Sequence, residues 1–169
     1  MNICENGNIV SILYPSDIQT AVADDWISLK GYGHLDVVFF KGAGTAADDP
    51  TLTFAQATVV AGTDTKALTI VDKYYLKQGT LLSTSTVGGT FTKTTQTKAT
   101  TIVGDATSAE EQMIMVIPID AEDLDVDNGF CCVQVSVGDV GSNAQYGCIL
   151  GILTDPRYGG ETPINPLTD

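Results

Sequence analysis

One stretch of the chain decides how it folds: Asp120-Ala-Glu-Asp-Leu-Asp-Val-Asp-Asn-Gly-Phe-Cys-Cys-Val-Gln-Val-Ser-Val137. It joins an acidic turn to a run whose side chains alternate between two faces with the two-residue period of a strand. Asn128-Gly129 is a strong turn signal, because both residues adopt positive φ at little cost. We predict two antiparallel strands, about Gln112–Ile119 and Phe130–Val137, paired across the acidic loop. Their high apolar content predicts that both are central strands.

The rest of the chain consists of shorter runs separated by turn residues. They predict strands at Ile9–Tyr14, Trp26–Lys30, Asp36–Lys41, Thr51–Thr58, Lys66–Val71, Thr80–Val87, Thr90–Thr101 and Tyr146–Thr154. Irregular segments are predicted at Gly31–Leu35, Gly42–Pro50, Asp72–Gly79 and Gly104–Glu111. About eight to ten short strands with almost no helical periodicity indicate an all-β fold, a single-domain antiparallel β-sandwich, for which a jelly roll is one possible arrangement.

The domain organisation follows from this pattern. We expect an N-terminal arm and lead-in strand over residues 1–24, a β-sandwich domain over 25–154, and a Pro-rich C-terminal arm over 155–169. The large apolar residues at inward positions predict the core. They are Trp26, Phe39, Phe54, Val116, Val133, Val135, Ile149 and Ile152.

Charge and hydropathy exclude several classes of partner. The 169-residue chain has a net charge of -13 and a pI of about 4.1, which argues against a nucleic-acid surface or docking on anionic lipid. It contains no apolar run of about 18 residues that would span a membrane. Its first residues lack the basic and apolar regions of a signal peptide, so we expect it to fold in a cytoplasm. In that compartment Cys4, Cys131, Cys132 and Cys148 favour thiols over disulfides, although a Cys132–Cys148 bond remains an alternative.

Asp123, Asp125 and Asp127 have the spacing that opens an EF-hand calcium loop. The glycine comes one place late, position twelve is Gln134 rather than Glu, and no helices are predicted on either side. We therefore interpret the segment as a solvated acidic turn. A weaker carboxylate site shared with another loop is the alternative, and these three residues are its candidates.

Catalytic constellations are not evident. His34 is the only histidine, it lies in a predicted Gly-rich turn, and no nucleophile elbow accompanies it. The Gly42–Gly44 loop lacks the lysine and the helix of a phosphate-binding loop. Trp26 and Tyr74-Tyr75 leave a sugar-stacking platform open as an alternative. We predict no catalytic site and no cofactor, and we expect a protein that is not an enzyme.

Two groups of segments carry a resemblance to a known class of protein. The first comprises Asp25–Asp49, which contains Trp-Ile-Ser-Leu-Lys-Gly-Tyr-Gly-His-Leu, and Leu52–Thr58. The second comprises Asp123–Val135, Gly141–Ala144 and Asp155–Gly160. Together they resemble small virion structural proteins of tailed bacteriophages, encoded among the head genes.

The resemblance implies a virion component, and we expect a capsid decoration or cement protein on the outer head surface. It implies the major capsid protein as partner and favours a homotrimer. A neck or tail component and a carbohydrate-binding module are the alternatives. The C-terminal arm is polar yet carries apolar side chains, which suggests docking on another surface. Its candidate partner-binding residues are Arg157, Tyr158, Ile164 and Leu167.

Overall fold

The computed structural model describes residues 3–22, 25–80, 90–104, 110–157 and 164–168. A short helix, α1 (Ile3–Asn6), precedes eleven strands among these residues. The strands are β1 (Asn8–Asp17), β2 (Ile27–Ser28), β3 (Tyr32–Lys41), β4 (Thr51–Ala57), β5 (Lys66–Ala67), β6 (Val71–Gly79), β7 (Thr92–Ala99), β8 (Thr101–Val103), β9 (Gln112–Asp120), β10 (Cys132–Val137) and β11 (Tyr146–Pro156).

The strands form two antiparallel sheets. One has six strands in the order β1-β11-β3-β9-β6-β7, and the other has the order β2-β10-β4-β5, with β8 also on β4. The first strand pairs with the last, the second with the second-last and the third with β9, so the chain is a long hairpin that has been rolled up. This is jelly-roll connectivity with β6 and β7 added to it. The predicted all-β sandwich is confirmed, in its jelly-roll form.

The predicted hairpin around the acidic loop is wrong in its pairing. Both strands exist and both are central, but β9 pairs with β3 and β6 while β10 pairs with β4 and β2. The loop contains two 3₁₀ turns, Ala121–Asp123 and Val126–Asn128, and Gly129 ends the second with φ 84°. A connection of this length carries the chain from one sheet to the other, whereas a hairpin needs a tight turn.

The core lies between the inner faces of the two sheets. Phe39, Phe54, Val133, Val135 and Ile149 are fully buried, as predicted.

Three other residues predicted for the core, Trp26, Val116 and Ile152, are only partly buried. In β9 the alternation places Met115 and Ile117 inward, which leaves Val116 on the outer face of the six-stranded sheet. When a strand is apolar at every position, its sequence does not reveal which alternate set of side chains faces the core.

Two predicted irregular segments are strands. Asp72–Gly79 belongs to β6, and most of Gly31–Leu35 belongs to β3. The charged residues of β6 and the glycines of β3 lower the apparent strand propensity of these segments. Pairing with neighbouring strands stabilises them as strands nevertheless. Conversely, β5 is only Lys66–Ala67. Most of the predicted strand Thr80–Val87 lies outside the described residues.

The N-terminal segment is part of the sandwich. β1 pairs with β11 from Asn8 to Asp17 and forms one edge of the six-stranded sheet. At the other terminus β11 continues to Pro156, beyond the expected domain boundary. Within the described part of the chain no helix is long and apolar enough to cross a membrane.

Candidate functional surfaces

An acidic corner forms where β3 begins and where β9 and β11 end. His34 of β3 is the register partner of Asp120 of β9. Its Nδ1 atom lies 2.6 Å from Asp120 Oδ1, and its Nε2 atom lies 3.2 Å from Asp36 Oδ1. Partial burial opposes the imidazolium, but the hydrogen bonds to Asp120 and Asp36 outweigh it and raise the pKa of His34 above 6.5. His34 therefore lies in a strand between two carboxylates, not in the turn that the sequence suggests.

A polar cleft of about 330 Å³ opens beside this cluster. Its lining residues are Gly33, Asp120, Glu122, Asp155 and Arg157. Asp155 has a positive φ of 56°, and its carboxylate occupies the space that a Cβ atom on Gly33 would need. We define the acidic corner as Asp36, Asp120, Glu122 and Asp155.

Two of the three metal candidates, Asp123 and Asp125, have separate local partners. An Asp123 carboxylate oxygen accepts a hydrogen bond from the backbone N–H of Asp120 at 3.4 Å. Asp125 is paired with Lys66 and accepts hydrogen bonds of 2.9 Å from Asn128 Nδ2. The bond from Lys66, followed by those from Asn128, lowers the pKa of Asp125.

Asp127 lies exposed in the second 3₁₀ turn. In the described ranges no group of three or more His, Cys, Asp or Glu side chains is arranged to hold a metal ion.

The C-terminal segment 164–168 lies against its own sandwich. Pro166 is buried, and its carbonyl accepts a hydrogen bond of 2.8 Å from the backbone N–H of Ser28. The hydroxyl of Tyr32 donates a bond of 2.7 Å to the carbonyl of Ile164. The segment borders a cavity of about 440 Å³ that reaches Arg157 and Ala121.

The four partner-binding candidates are thus placed differently from one another. The side chains of Ile164 and Leu167 remain exposed. Arg157 lines the cavity and the acidic cleft. Tyr158 lies outside the described residues.

The outer face of the six-stranded sheet is apolar over several strands. One row runs across it from Leu150 through Val38 and Val116 to Tyr75, each residue the register partner of the next. Phe40, in the neighbouring row, is 49% exposed.

Other members extend this apolar outer face. They are Ile9, Ile114, Pro118, Tyr146, Cys148 and Ile152. An uncovered apolar surface of this kind marks an interaction site. Sequence reasoning missed it, although the signal was present: both Met113–Ile119 and Cys148–Leu153 are apolar at odd and even positions, more than one core face requires.

A basic strand pair, β6 and β7, adjoins this face at the edge of the sheet. Lys93 is the register partner of Tyr75, and Lys73 and Lys77 stand two positions to either side of Tyr75 in β6, so all three point outward. The ammonium group of Lys77 lies 4.4 Å from the ring centre of Phe91, at cation–π distance.

The alternative sugar platform is not assembled. Tyr74 packs against the core, Tyr75 lies on the outer face, and Trp26 precedes β2 of the other sheet. Alternation along β6 separates the two tyrosines.

Lys41 and the cysteines are further polar or reactive side chains of the described residues. Lys41 is 1% exposed and donates hydrogen bonds to the carbonyls of Glu111, at 2.7 Å, and Gly42, at 3.1 Å. Burial lowers the pKa of this lysine to about 8. Cys131, Cys132 and Cys148 carry thiols and not disulfides, as predicted, and the side chain of Cys4 lies outside the described residues.

These features define a jelly-roll domain with an uncovered apolar face, an acidic corner and a basic strand pair. No family model matches the chain, and no curated protein matches it. One solved structure that resembles it is the SPBc2 prophage-derived protein YomS. The match has 11% identity and a TM-score of 0.41, and covers 86% of this chain and 93% of that one. A TM-score of this size does not establish a shared fold.

Proposed function

We propose that this chain is a phage virion structural protein that decorates or cements the outer surface of the head. The observation that carries the proposal is the apolar outer face, on which Phe40 is 49% exposed and Leu150 is 38% exposed. Such a face lowers the free energy when another protein covers it.

Two further observations support the assignment. The jelly roll is a recurrent architecture of viral capsid proteins and of lectins, although a fold alone does not define a function. The segments that resemble phage head proteins include β3, β4 and β10, which build both sheets. The proposed partner is the major capsid protein, and the proposed form is a homotrimer.

The test is co-sedimentation with capsids that lack this protein. We expect Leu150→Ser, which puts a hydroxyl in the apolar outer face, to weaken binding. Val103→Ser is the matched control, because Val103 is 61% exposed but lies on β8 of the other sheet. If both variants bind capsids as well as the unmodified chain does, the apolar outer face is not the surface that contacts the capsid.

Copy number in purified virions, measured by quantitative mass spectrometry, separates the positions in the particle. Copies on the scale of the capsid lattice support decoration. Copies on the scale of one ring would instead place the protein in the neck or tail. Absence from the virion would refute the proposal.

A further inference from the structure

The basic strand pair is an addition to the roll. Without it the chain already forms two layers, the four strands β1-β11-β3-β9 and the five strands β2-β10-β4-β5 with β8 on β4. β6 and β7 are inserted between β5 and β8 and lengthen only the six-stranded sheet. Val71, Tyr74 and Leu76 of β6 pack on the core, whereas the outward side chains of both strands are not needed for that packing.

The positive charge of the chain is concentrated on this addition. Four of the eight cationic residues and one of the 21 acidic residues lie within 71–99, which leaves four cations and 20 acids elsewhere. The four lysines are Lys73, Lys77, Lys93 and Lys98. Three of them point outward beside the apolar outer face, where a covering surface would meet them.

A surface of the opposite charge lies at a distance on the same chain. β6 pairs with Gln112–Val116, at one end of β9, whereas the acidic corner begins at Asp120, where β9 ends. The apolar outer face continues between the two. A second copy thus offers both the charge and the apolar area that the basic strand pair and its surroundings fit.

We infer that the basic strand pair of one copy docks on the acidic corner of another copy, with apolar residues of the outer face covered between them. The two contacting surfaces differ, so the contact is head-to-tail and closes into a ring, as a trimer requires. This rests on the proposed function for its setting and adds the surfaces through which copies join. Lysines on an edge strand also discourage edge-to-edge pairing, but that role alone predicts a monomer.

The first measurement is the mass of the purified full-length chain by native mass spectrometry and light scattering, at low and at high salt. We expect an oligomer that dissociates as salt rises, because exposed charges are screened. Lys93→Glu should weaken assembly by about tenfold or more, as expected for reversing a charge that meets opposite charge. Lys30→Glu makes the same charge change outside the basic strand pair and should assemble like the unmodified chain.

Mixing variants identifies the kind of contact. Lys93→Glu keeps the acidic corner, and Glu122→Lys keeps the basic strand pair. Each alone should fail to form the ring. In an equimolar mixture Lys93 of one variant meets Glu122 of the other, and the two reversed charges also meet as opposites, so unlike chains should associate where neither variant does so alone. The double variant Lys93→Glu/Glu122→Lys, in which the charges are exchanged, should recover the ring.

Three results would overturn the inference. They are a monomer at low salt, equal assembly of Lys93→Glu and Lys30→Glu, and no association between the two variants in the mixture. A different result would reassign the basic strand pair. If the unmodified chain is a monomer and Lys93→Glu abolishes its co-sedimentation with capsids, the basic strand pair binds the capsid protein and not a second copy. A salt-sensitive ring that does not co-sediment with capsids would support the inference and refute the decoration proposal.

Discussion

Replacing Tyr32 by Phe tests how the C-terminal segment is held. Tyr32 is 1% exposed, and its hydroxyl donates a 2.7 Å hydrogen bond to the carbonyl of Ile164. Phe keeps the buried ring and removes only the hydroxyl, so the cost is that of one hydrogen bond, about 1 kcal/mol. For a chain of this size that loss lowers Tm by about 2–4 °C.

The assay is a double-mutant cycle of Tyr32→Phe with a chain that lacks residues 164–169, read by thermal and denaturant unfolding. The truncation also removes the bond from Ser28 to Pro166 and the burial of Pro166, so we expect it to cost about 2–3 kcal/mol. In the truncated chain Tyr32→Phe should be nearly silent. If Tyr32→Phe lowers the free energy of unfolding equally in both backgrounds, the hydrogen bond to the C-terminal segment does not account for the stabilising effect of the Tyr32 hydroxyl.

Three further predictions concern the core, the acidic loop and the histidine. Phe39→Ala should cost about 3–5 kcal/mol in unfolding free energy, whereas its exposed neighbour Phe40→Ala should cost less than about 1 kcal/mol. Millimolar calcium should leave Tm unchanged, because we interpret the acidic loop as a solvated turn. A real calcium site saturated at about 100 times its dissociation constant would instead add about 2.7 kcal/mol to the free energy of unfolding. A calcium-dependent rise in Tm that Asp125→Asn abolishes would contradict this. The raised pKa of His34 means that its contribution to stability is fully present below about 6.5, its unfolded pKa, and is lost as pH rises through the folded pKa. Unfolding at a series of pH values should show this slope, and His34→Gln should flatten it.

The fold class was accessible from the sequence, because alternating runs and turn residues report strands locally. The partner of each strand was not. The apolar content of β9 and β10 correctly indicated central strands, but it says nothing about which sheet each one joins. Asp72–Gly79 was misassigned for a related reason: a strand with one face in water can carry lysines on that face, so its composition resembles a loop.

The candidate surfaces were partly accessible. Apolar residues at both odd and even positions of Met113–Ile119 signal a strand covered on both faces, and the structure covers only one. The C-terminal segment was predicted, from Ile164 and Leu167, to dock on another surface. In the structure it docks on its own sandwich through Pro166 and the backbone of Ile164, and backbone bonds leave no trace in side-chain composition.

The separation of charge follows from the topology. β3, β9 and β11 are adjacent antiparallel strands, so the start of β3 and the ends of β9 and β11 meet at one edge of the sheet. Strand pairing therefore brings together Asp120, at the end of β9, and Asp155, near the end of β11, and Glu122 follows Asp120 in the first 3₁₀ turn. The basic strand pair is bound to the opposite end of β9 by its register with Gln112–Val116. Strand pairing fixes the positions of both charged surfaces. Reversing the charge at Lys93 or Glu122 therefore changes the charge of a surface without removing a contact on which the fold depends. Association can thus be tested apart from folding.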